Sequence, residues 1–258
     1  MNSRAVLISG AASGIGRSIA EAFLASGASV HICDASRDAI DDFVAANPRA
    51  TATEADVSKV TDVQRVFDDF KSHHGELNIL VNNAGISGPT ATVDEVDPDE
   101  WDQCVAVDLS GAFYMTRLAV PLLRKAGGGS IINISSSAGL IGTPLRSPYT
   151  ASKWGLIGLT KTWAMELGPD NIRVNAVCPG CVSGPRIERV IAKDAVERGV
   201  SAEEIRKVYL RQTSMRVFVA PEEIATTVLF LASDQAAKIS GQALSIDGHT
   251  ETLANWLD

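Results

Sequence analysis

The sequence predicts an α/β fold, a single doubly wound parallel sheet with helices on both faces. Three observations predict it. Short apolar runs alternate with amphipathic helical stretches from end to end, the pattern of a buried parallel sheet. A glycine-rich turn, Gly10-Ala-Ala-Ser-Gly14-Ile-Gly16, separates the first run from the first helix. No shift in composition, repeat array or low-complexity linker divides the 258 residues, a length that fits one large α/β domain spanning 1–258.

The elements follow in order. Ala5 to Ser9 is an apolar strand, the glycine turn follows it, and Arg17 to Ser26 reads as a helix ending at Gly27. Ser29 to Cys33 is the second strand and ends in Asp34. A helix around Ala39–Ala46, a strand near Ala50–Glu54 and a helix from Val60 to His73 continue the alternation. Leu77 to Val81 is the fourth strand and delivers Asn82-Asn83-Ala84-Gly85. One long helix is expected from about Asp99 to Lys125, then a strand from Ser130 to Ser135. A helix carrying Tyr149, a strand from Arg173 to Val177, a helix from Glu222 to Ala232 and a strand near Ala243–Ile246 complete the chain. Strict alternation of this kind gives a Rossmann-type sheet.

A net charge of −8 argues against a nucleic-acid or membrane-surface partner, since both require a basic field. No apolar run approaches the ~18 residues that span a bilayer. The apolar start at Ala5–Ile8 is too short for a leader and runs straight into a glycine turn, so a cytoplasmic protein is expected. The four cysteines are scattered apart from Cys178-Pro179-Gly180-Cys181. That pair follows a strand and leads into a loop, where no helix N-terminus would activate a thiol, and no second pair completes a zinc site. A structural role is expected there, and no metal.

A glycine turn between strand and helix is a phosphate cradle. The glycines let backbone approach a pyrophosphate, and the helix start offers unpaired N–H groups and the positive end of its dipole. Asp34 closes the second strand, placed to accept from adenosine ribose hydroxyls and to repel a 2′-phosphate. NAD is therefore expected over NADP, with Arg37 as the counter-argument. Asp56 follows the third strand, where a carboxylate can accept from the adenine amino group. Asn82 and Asn83 close the fourth strand and are expected on the nucleotide rim, although caps and turns are the ordinary work of such residues.

In Ser147-Pro148-Tyr149-Thr150-Ala151-Ser152-Lys153 a phenol and an ammonium lie one helical turn apart on one face. Ser147 is expected to cap this helix and Pro148 to take its first position. A phenol beside an ammonium can give and take a proton.

Together these motifs resemble the short-chain dehydrogenase/reductase family: SGAASGIG at 9–16, NNAG at 82–85, ISSSAG at 134–139, YTASK at 149–153, CPG at 178–180 and ISGQALSIDG at 239–248. The resemblance covers almost the whole chain and implies interconversion of an alcohol and a carbonyl with a nicotinamide cofactor. It implies that Tyr149 is the general acid/base, that Lys153 favours the phenolate and binds the nicotinamide ribose, and that Ser136 holds the substrate oxygen. It also implies a cofactor site built from Gly10, Ser13, Gly14, Ile15, Gly16, Asp34, Asp56, Val57, Asn83, Ala84, Gly85, Tyr149, Lys153, Pro179, Gly180 and Val182. A homo-oligomer, commonly a tetramer, is implied too. The long helix from Asp99 and the Tyr149 helix would form its interface, with small residues Ala151, Gly155 and Gly158 permitting close approach.

Two positions depart from the family pattern. The fourth catalytic residue is usually an asparagine, and here it is Asp108, which keeps the backbone group but adds a charge near Lys153. An altered pH profile is expected. The family often has a threonine where this chain has Gly184, so Ser183 or backbone would serve the carboxamide. Residues 185–220 are expected to form a substrate-covering loop or helix region, rich in cations from Arg186 to Arg216. Most of these are expected to pair with interleaved glutamates in water. Arg146 and Arg186, nearest the catalytic segment, are candidates to bind an anionic group on a small alcohol, such as a hydroxy acid or acid sugar. Neutral sugars or polyols, an NADP-dependent carbonyl reductase and a catalytically silent nucleotide-binding regulator are the other readings.

Overall fold

The computed structural model describes residues 4–253, apart from the side chains of Lys193 and Glu197; the outer limits expected for the domain, 1 and 258, lie outside the described residues. The strands are β1 (Ala5–Ser9), β2 (Ser29–Asp34), β3 (Thr51–Glu54), β4 (Ile79–Asn82), β5 (Gly129–Ile134), β6 (Ile172–Pro179) and β7 (Ala243–Ile246). They form one parallel sheet in the order β3-β2-β1-β4-β5-β6-β7. The chain reverses direction of growth between β1 and β4, and the carboxyl ends of those strands open the crevice where such sheets bind ligands.

Strand residues alternate between two buried layers. Val6, Ile8, Val30, Ile32, Ile79 and Val81 face helices α1 (Gly14–Ala25), α2 (Arg37–Ala46) and α9 (Pro221–Ala232). Ala5, Leu7, Leu80, Ile131 and Val174 face α3 (Val60–His73), α5 (Gly111–Lys125) and α6 (Ser147–Leu167). Helices therefore cover both faces, as the continuous apolar strands require. His31 is a buried polar residue on the second layer. It is fully buried and satisfied, with Nδ1 2.7 Å from Thr51 Oγ1 and Nε2 3.0 Å from Thr53 Oγ1. Burial pushes its pKa down to about 4, helped by His74 and His73 and opposed by Asp69.

Two differences from what the sequence predicts matter for the site. The helix expected over 99–125 is broken into α4 (Pro98–Val105), a π-turn (Ala106–Ser110) and α5. The π-turn is where α5 must accommodate its neighbours: a Cβ on Gly111 would lie 2.7 Å from Val57 Cγ2. The Tyr149 helix begins one residue early. Arg146 is its N-cap without a side-chain cap bond, so Ser147 is a helical residue rather than the cap, and Pro148 lies second. Leu145, just before it, has a left-handed φ of 64°. Between β6 and α9 lie two helices, α7 (Pro185–Arg198) and α8 (Ala202–Arg211). They share a small apolar core of Ile187, Ile191, Ala195 and Ile205, and Tyr209 Oη donates to Asp194 Oδ2 at 3.0 Å across them. Of the small residues expected at an interface, Gly155 instead receives Leu109 of its own chain, whose Cδ2 would be 3.1 Å from a Cβ there. Among the described residues, no helix is long and apolar enough to cross a membrane.

Candidate active site

The first turn is built for close approach. Gly10 and Gly14 have φ of 60° and 56°, conformations that favour glycine. A Cβ on Gly16 would lie 2.2 Å from Gly10 O, and one on Gly10 would lie 2.7 Å from Ala84 Cα. The turn is splinted from the end of β4. Asn83 Nδ2 donates to Ser9 O at 3.1 Å and Gly10 O at 2.6 Å, while Ser9 Oγ accepts from the N–H groups of Asn83 and Ala84 at 3.1 Å each. Helix α1 then starts behind Ser13, whose side chain makes no cap bond. The first N–H groups of a helix are free of intrahelical partners and carry the positive end of its dipole, a donor set that suits a pyrophosphate.

Asp34 borders the same turn. Its Oδ2 accepts from Ala12 N at 3.0 Å and its Oδ1 from Ser36 N at 3.1 Å, leaving further lone pairs on both oxygens. Arg37 turns away to Asp41, with Nε 3.0 Å from Oδ1 on the exposed side of α2. Asp56 is more committed. Oδ1 accepts from Ser58 N and Oγ at 3.0 and 2.7 Å, and Lys59 lies 3.5 Å from Oδ2. The Ser58 hydroxyl first, then its amide and Lys59, hold this carboxyl below its ordinary range against the burial that raises it. Val57 beside it is buried against Gly111.

Asn82 does not lie on the rim. Its side chain is buried, and Nδ2 donates to Thr116 Oγ1 at 3.0 Å and Asn133 Oδ1 at 2.8 Å. Asn133 Nδ2 in turn donates to Thr160 Oγ1 at 2.8 Å. This network pins α5 and α6 to the sheet. The partners are remote in sequence, so nothing local distinguished this asparagine from Asn83.

At the end of β5, Ser136 is half-buried and caps a short 3-10 turn, with Oγ accepting from Ala138 N at 3.1 Å. Ser135 Oγ donates to Lys153 O at 3.0 Å and so ties α6 to the strand that delivers Ser136. Lys153 is buried, 4% exposed. Its Nζ donates to Ile134 O at 3.2 Å and lies 5.4 Å from the centre of the Tyr149 ring. Asp108 sits on the π-turn, a feature frequent at functional sites. Its Oδ1 accepts from Ile86 N at 2.7 Å, and its Oδ2 faces Lys153 Nζ at 3.3 Å. Gly85 admits this pair: a Cβ there would lie 3.2 Å from Oδ2 and 3.3 Å from Nζ. Burial works to lower the Lys153 pKa, yet the charge of Asp108, with Tyr149 behind it, outweighs burial and raises it.

Beyond β6, a Cβ on Gly180 would lie 2.7 Å from Asp247 Cβ, and Val182 pairs with Val219. Ser183 Oγ donates to Val219 O at 3.3 Å, so that hydroxyl is held by backbone. Arg146 is half-buried and donates from Nη1 to Ser87 O at 3.0 Å. Arg186 opens α7, is exposed, and its charge reaches Lys153. A carboxyl-terminal ribbon escaped the sequence reading. Met215 N and Ser214 N donate to Gly248 O and His249 O, and Ser137 Oγ lies 3.2 Å from Asp247 Oδ2, joining the segment after α8 to the residue beside Ser136. Cys178 and Cys181 are free, and burial pushes both thiols up to about 11, which suits packing rather than redox work. Among the described residues, no cluster of three or more His, Cys, Asp or Glu could hold a metal ion.

The arrangement gathers a glycine turn at a helix start, the Asp34 carboxylate and a phenol–ammonium–carboxylate row along one sheet edge. Residues 10–249 match the protein family described as enoyl-(acyl carrier protein) reductase. The chain is 38% identical to a 3-oxoacyl-[acyl-carrier-protein] reductase of Thermotoga maritima, over 96% of this chain and 98% of that one. It is 36% identical to a D-beta-hydroxybutyrate dehydrogenase of Rhizobium meliloti, over 95% and 97% of the two. Among solved structures, NAD+-bound xylitol dehydrogenase superposes with a TM-score of 0.90 at 28% identity, covering 95% of this chain and 98% of that one.

Proposed function

The chain belongs to the short-chain dehydrogenase/reductase family, and on that footing we propose that it moves hydride between NAD and a small polar secondary alcohol or its ketone. It is an oxidoreductase acting on CH–OH groups; the choice of NAD and of an anionic alcohol is the finer reading. One observation carries that choice of cofactor. Asp34 presents its carboxylate beside the glycine turn while Arg37, the cation that could meet a 2′-phosphate, is engaged by Asp41.

The turn residues Gly10, Ser13, Gly14, Ile15 and Gly16 would hold the pyrophosphate, Asp34 the ribose, and Asp56 with Val57 the adenine. Asn83, Ala84, Gly85, Pro179, Gly180 and Val182 would line the rest, with Tyr149 and Lys153 at the nicotinamide ribose. When bound, the nicotinamide supplies the hydride acceptor. Tyr149 takes the alcohol proton as the C–H bond breaks, and the Ser136 hydroxyl donates to the substrate oxygen while charge develops there. A free phenol, with pKa near ~10, is a weak base at neutral pH, so the ammonium of Lys153 is needed beside it. Asp108 completes the row.

For the substrate, Arg146 at the start of α6 and Arg186 on α7 are the two guanidinium groups that would meet an anionic group. Arg146 spends one donor on Ser87 O and keeps the rest of its planar fork, which suits a carboxylate. The likeness to a hydroxybutyrate dehydrogenase favours a hydroxy acid; the likeness to a xylitol dehydrogenase supports a neutral polyol as the second reading. Helices α7 and α8 would cover that substrate, and the helix pair of α5 and α6 would carry a homo-oligomer contact.

The experiment is a screen of hydroxy acids, acid sugars and polyols with NAD or NADP, following reduced cofactor, alongside Tyr149→Phe. We expect oxidation with NAD by the wild type and loss of at least ~10³-fold in kcat for Tyr149→Phe with NAD binding retained. Near-normal turnover by Tyr149→Phe, or a clear preference for NADP, would overturn the respective part of the reading.

A further inference from the structure

Asp108 and Lys153 form a buried ion pair directly behind the phenol. The side chains are 0% and 5% exposed, and one oxygen of the carboxylate is fixed by the Ile86 amide at 2.7 Å. The other oxygen makes no aligned hydrogen bond and faces the ammonium across 3.3 Å. The ammonium is held in place from a second side by Ile134 O at 3.2 Å, over the Tyr149 ring. Opposite charges that close present the phenol with a dipole rather than with a full positive charge, and a dipole's effect decays faster with distance.

We propose that Asp108 is a positioning residue that acts through Lys153, holding the ammonium over Tyr149 and cancelling much of the charge it presents to the phenol, so that alcohol oxidation runs at a more alkaline pH than a neutral residue at 108 would allow. This rests on the proposed roles of Tyr149 and Lys153. It adds a second function for the geometry. The carboxylate fastens the loop after Gly85 to the π-turn, so the charge that tunes the phenol also fixes the cofactor-side wall.

The other groups near this row stay constant across the range of the effect. Cys104 on α4 and Cys178 on β6 are thiols that burial pushes up to about 11, so they remain neutral. The guanidinium groups near the row are Arg146 at the start of α6 and Arg186 on α7. Asp247, after β7, accepts from Ser137 Oγ and His249 N at 3.2 and 3.0 Å and faces Ser137 rather than the phenol. Tyr209 on α8 is driven upward by burial, with Asp194 adding to it, and titrates later.

The test is Asp108→Asn, which keeps the shape and the acceptor for Ile86 N. Three quantities are compared with the wild type: the pH profile of kcat/KM for oxidation, the affinity for NADH, and the ultraviolet difference signal of tyrosinate formation, corrected with Tyr149→Phe backgrounds. We expect the acid limb and the tyrosinate transition to move together to lower pH by about one unit in Asp108→Asn, with NADH affinity within about two-fold. An unmoved tyrosinate transition in a folded Asp108→Asn protein overturns the proposal. That titration needs no substrate, so its outcome is independent of whether the alcohol has been found. Should that variant not fold, Asp108→Ser removes the same charge, and an unmoved tyrosinate transition there overturns the proposal.

Discussion

Asp34 and Ala12 are joined across the first strand–helix turn: Asp34 Oδ2 accepts the Ala12 N–H at 3.0 Å. The carboxylate that would read the ribose therefore also shapes the turn that would hold the phosphates. Asp34→Ala removes both the charge and the two carboxylate oxygens that accept from backbone N–H groups, since Oδ1 holds Ser36 N. We expect NAD affinity to fall by at least ~10-fold and the ratio of NADP to NAD affinity to rise. Titration of both cofactors against the variant measures this; an unchanged ratio removes Asp34 as the discriminating residue.

The three glycines of the turn are not equivalent. At Gly14 a Cβ meets nothing within 4 Å, and only the φ of 56° opposes a side chain. Gly14→Ala should cost about 1–2 kcal/mol. At Gly16 a Cβ would meet Gly10 O at 2.2 Å and Ala11 Cα at 2.8 Å, backbone that cannot move without opening the turn. Gly16→Ala should lose clearly more stability, and its NADH affinity should drop at least ~10-fold. Denaturant midpoints and NADH binding on the two variants would show equal effects if this distinction is wrong.

His31 makes the protein acid-sensitive. Its ordinary pKa of 6.5 falls to about 4 in the fold, first through burial. The unfolded chain thus binds a proton at higher pH than the folded one does. The neutral ring's contribution is fully present above about pH 6.5 and is lost as pH falls toward 4, by about 3 kcal/mol in all. Urea midpoints of wild type and His31→Asn between pH 7 and 4 give the difference. A parallel pH dependence in the two proteins would exclude His31 as the cause.

Arg146 supplies the sharpest probe of the substrate. Arg146→Ala should raise KM for an anionic alcohol about 10-fold or more while leaving a neutral analogue of the same size little changed. Because Arg146 also holds Ser87 O, equal losses with both substrates would assign it to loop support alone.

The parts of this site that could be read in the sequence are those written locally. Asp34 ends an apolar run, the glycines stand between a strand and a helix, and Tyr149 and Lys153 share a helix face. The parts that could not be read are set by contacts across the fold. The helical pattern of 99–125 is unbroken, and the π-turn arises where Asp108 reaches Ile86 and Lys153 while Gly111 closes on Val57. Asn82 and Asn83 are adjacent and chemically identical, yet one turns inward to Thr116 and Asn133 and the other to the glycine turn. Strand alternation decides between them, and a one-residue difference reverses the face.

The apolar layer under α1 and α9 has a consequence for synthesis. It unites residues from Val6 to Val44 with residues from Val219 to Ala232, and Arg4 Nη1 reaches Ala232 O at 3.0 Å. The cofactor half emerges first from the ribosome, yet its core is incomplete until α9 follows. At ~5–20 residues per second, that wait is roughly ten to forty seconds. During it the apolar faces of β1 and α1 lack their cover, so slower translation or a truncated message should send the nascent chain to chaperones rather than to a half-built nucleotide fold.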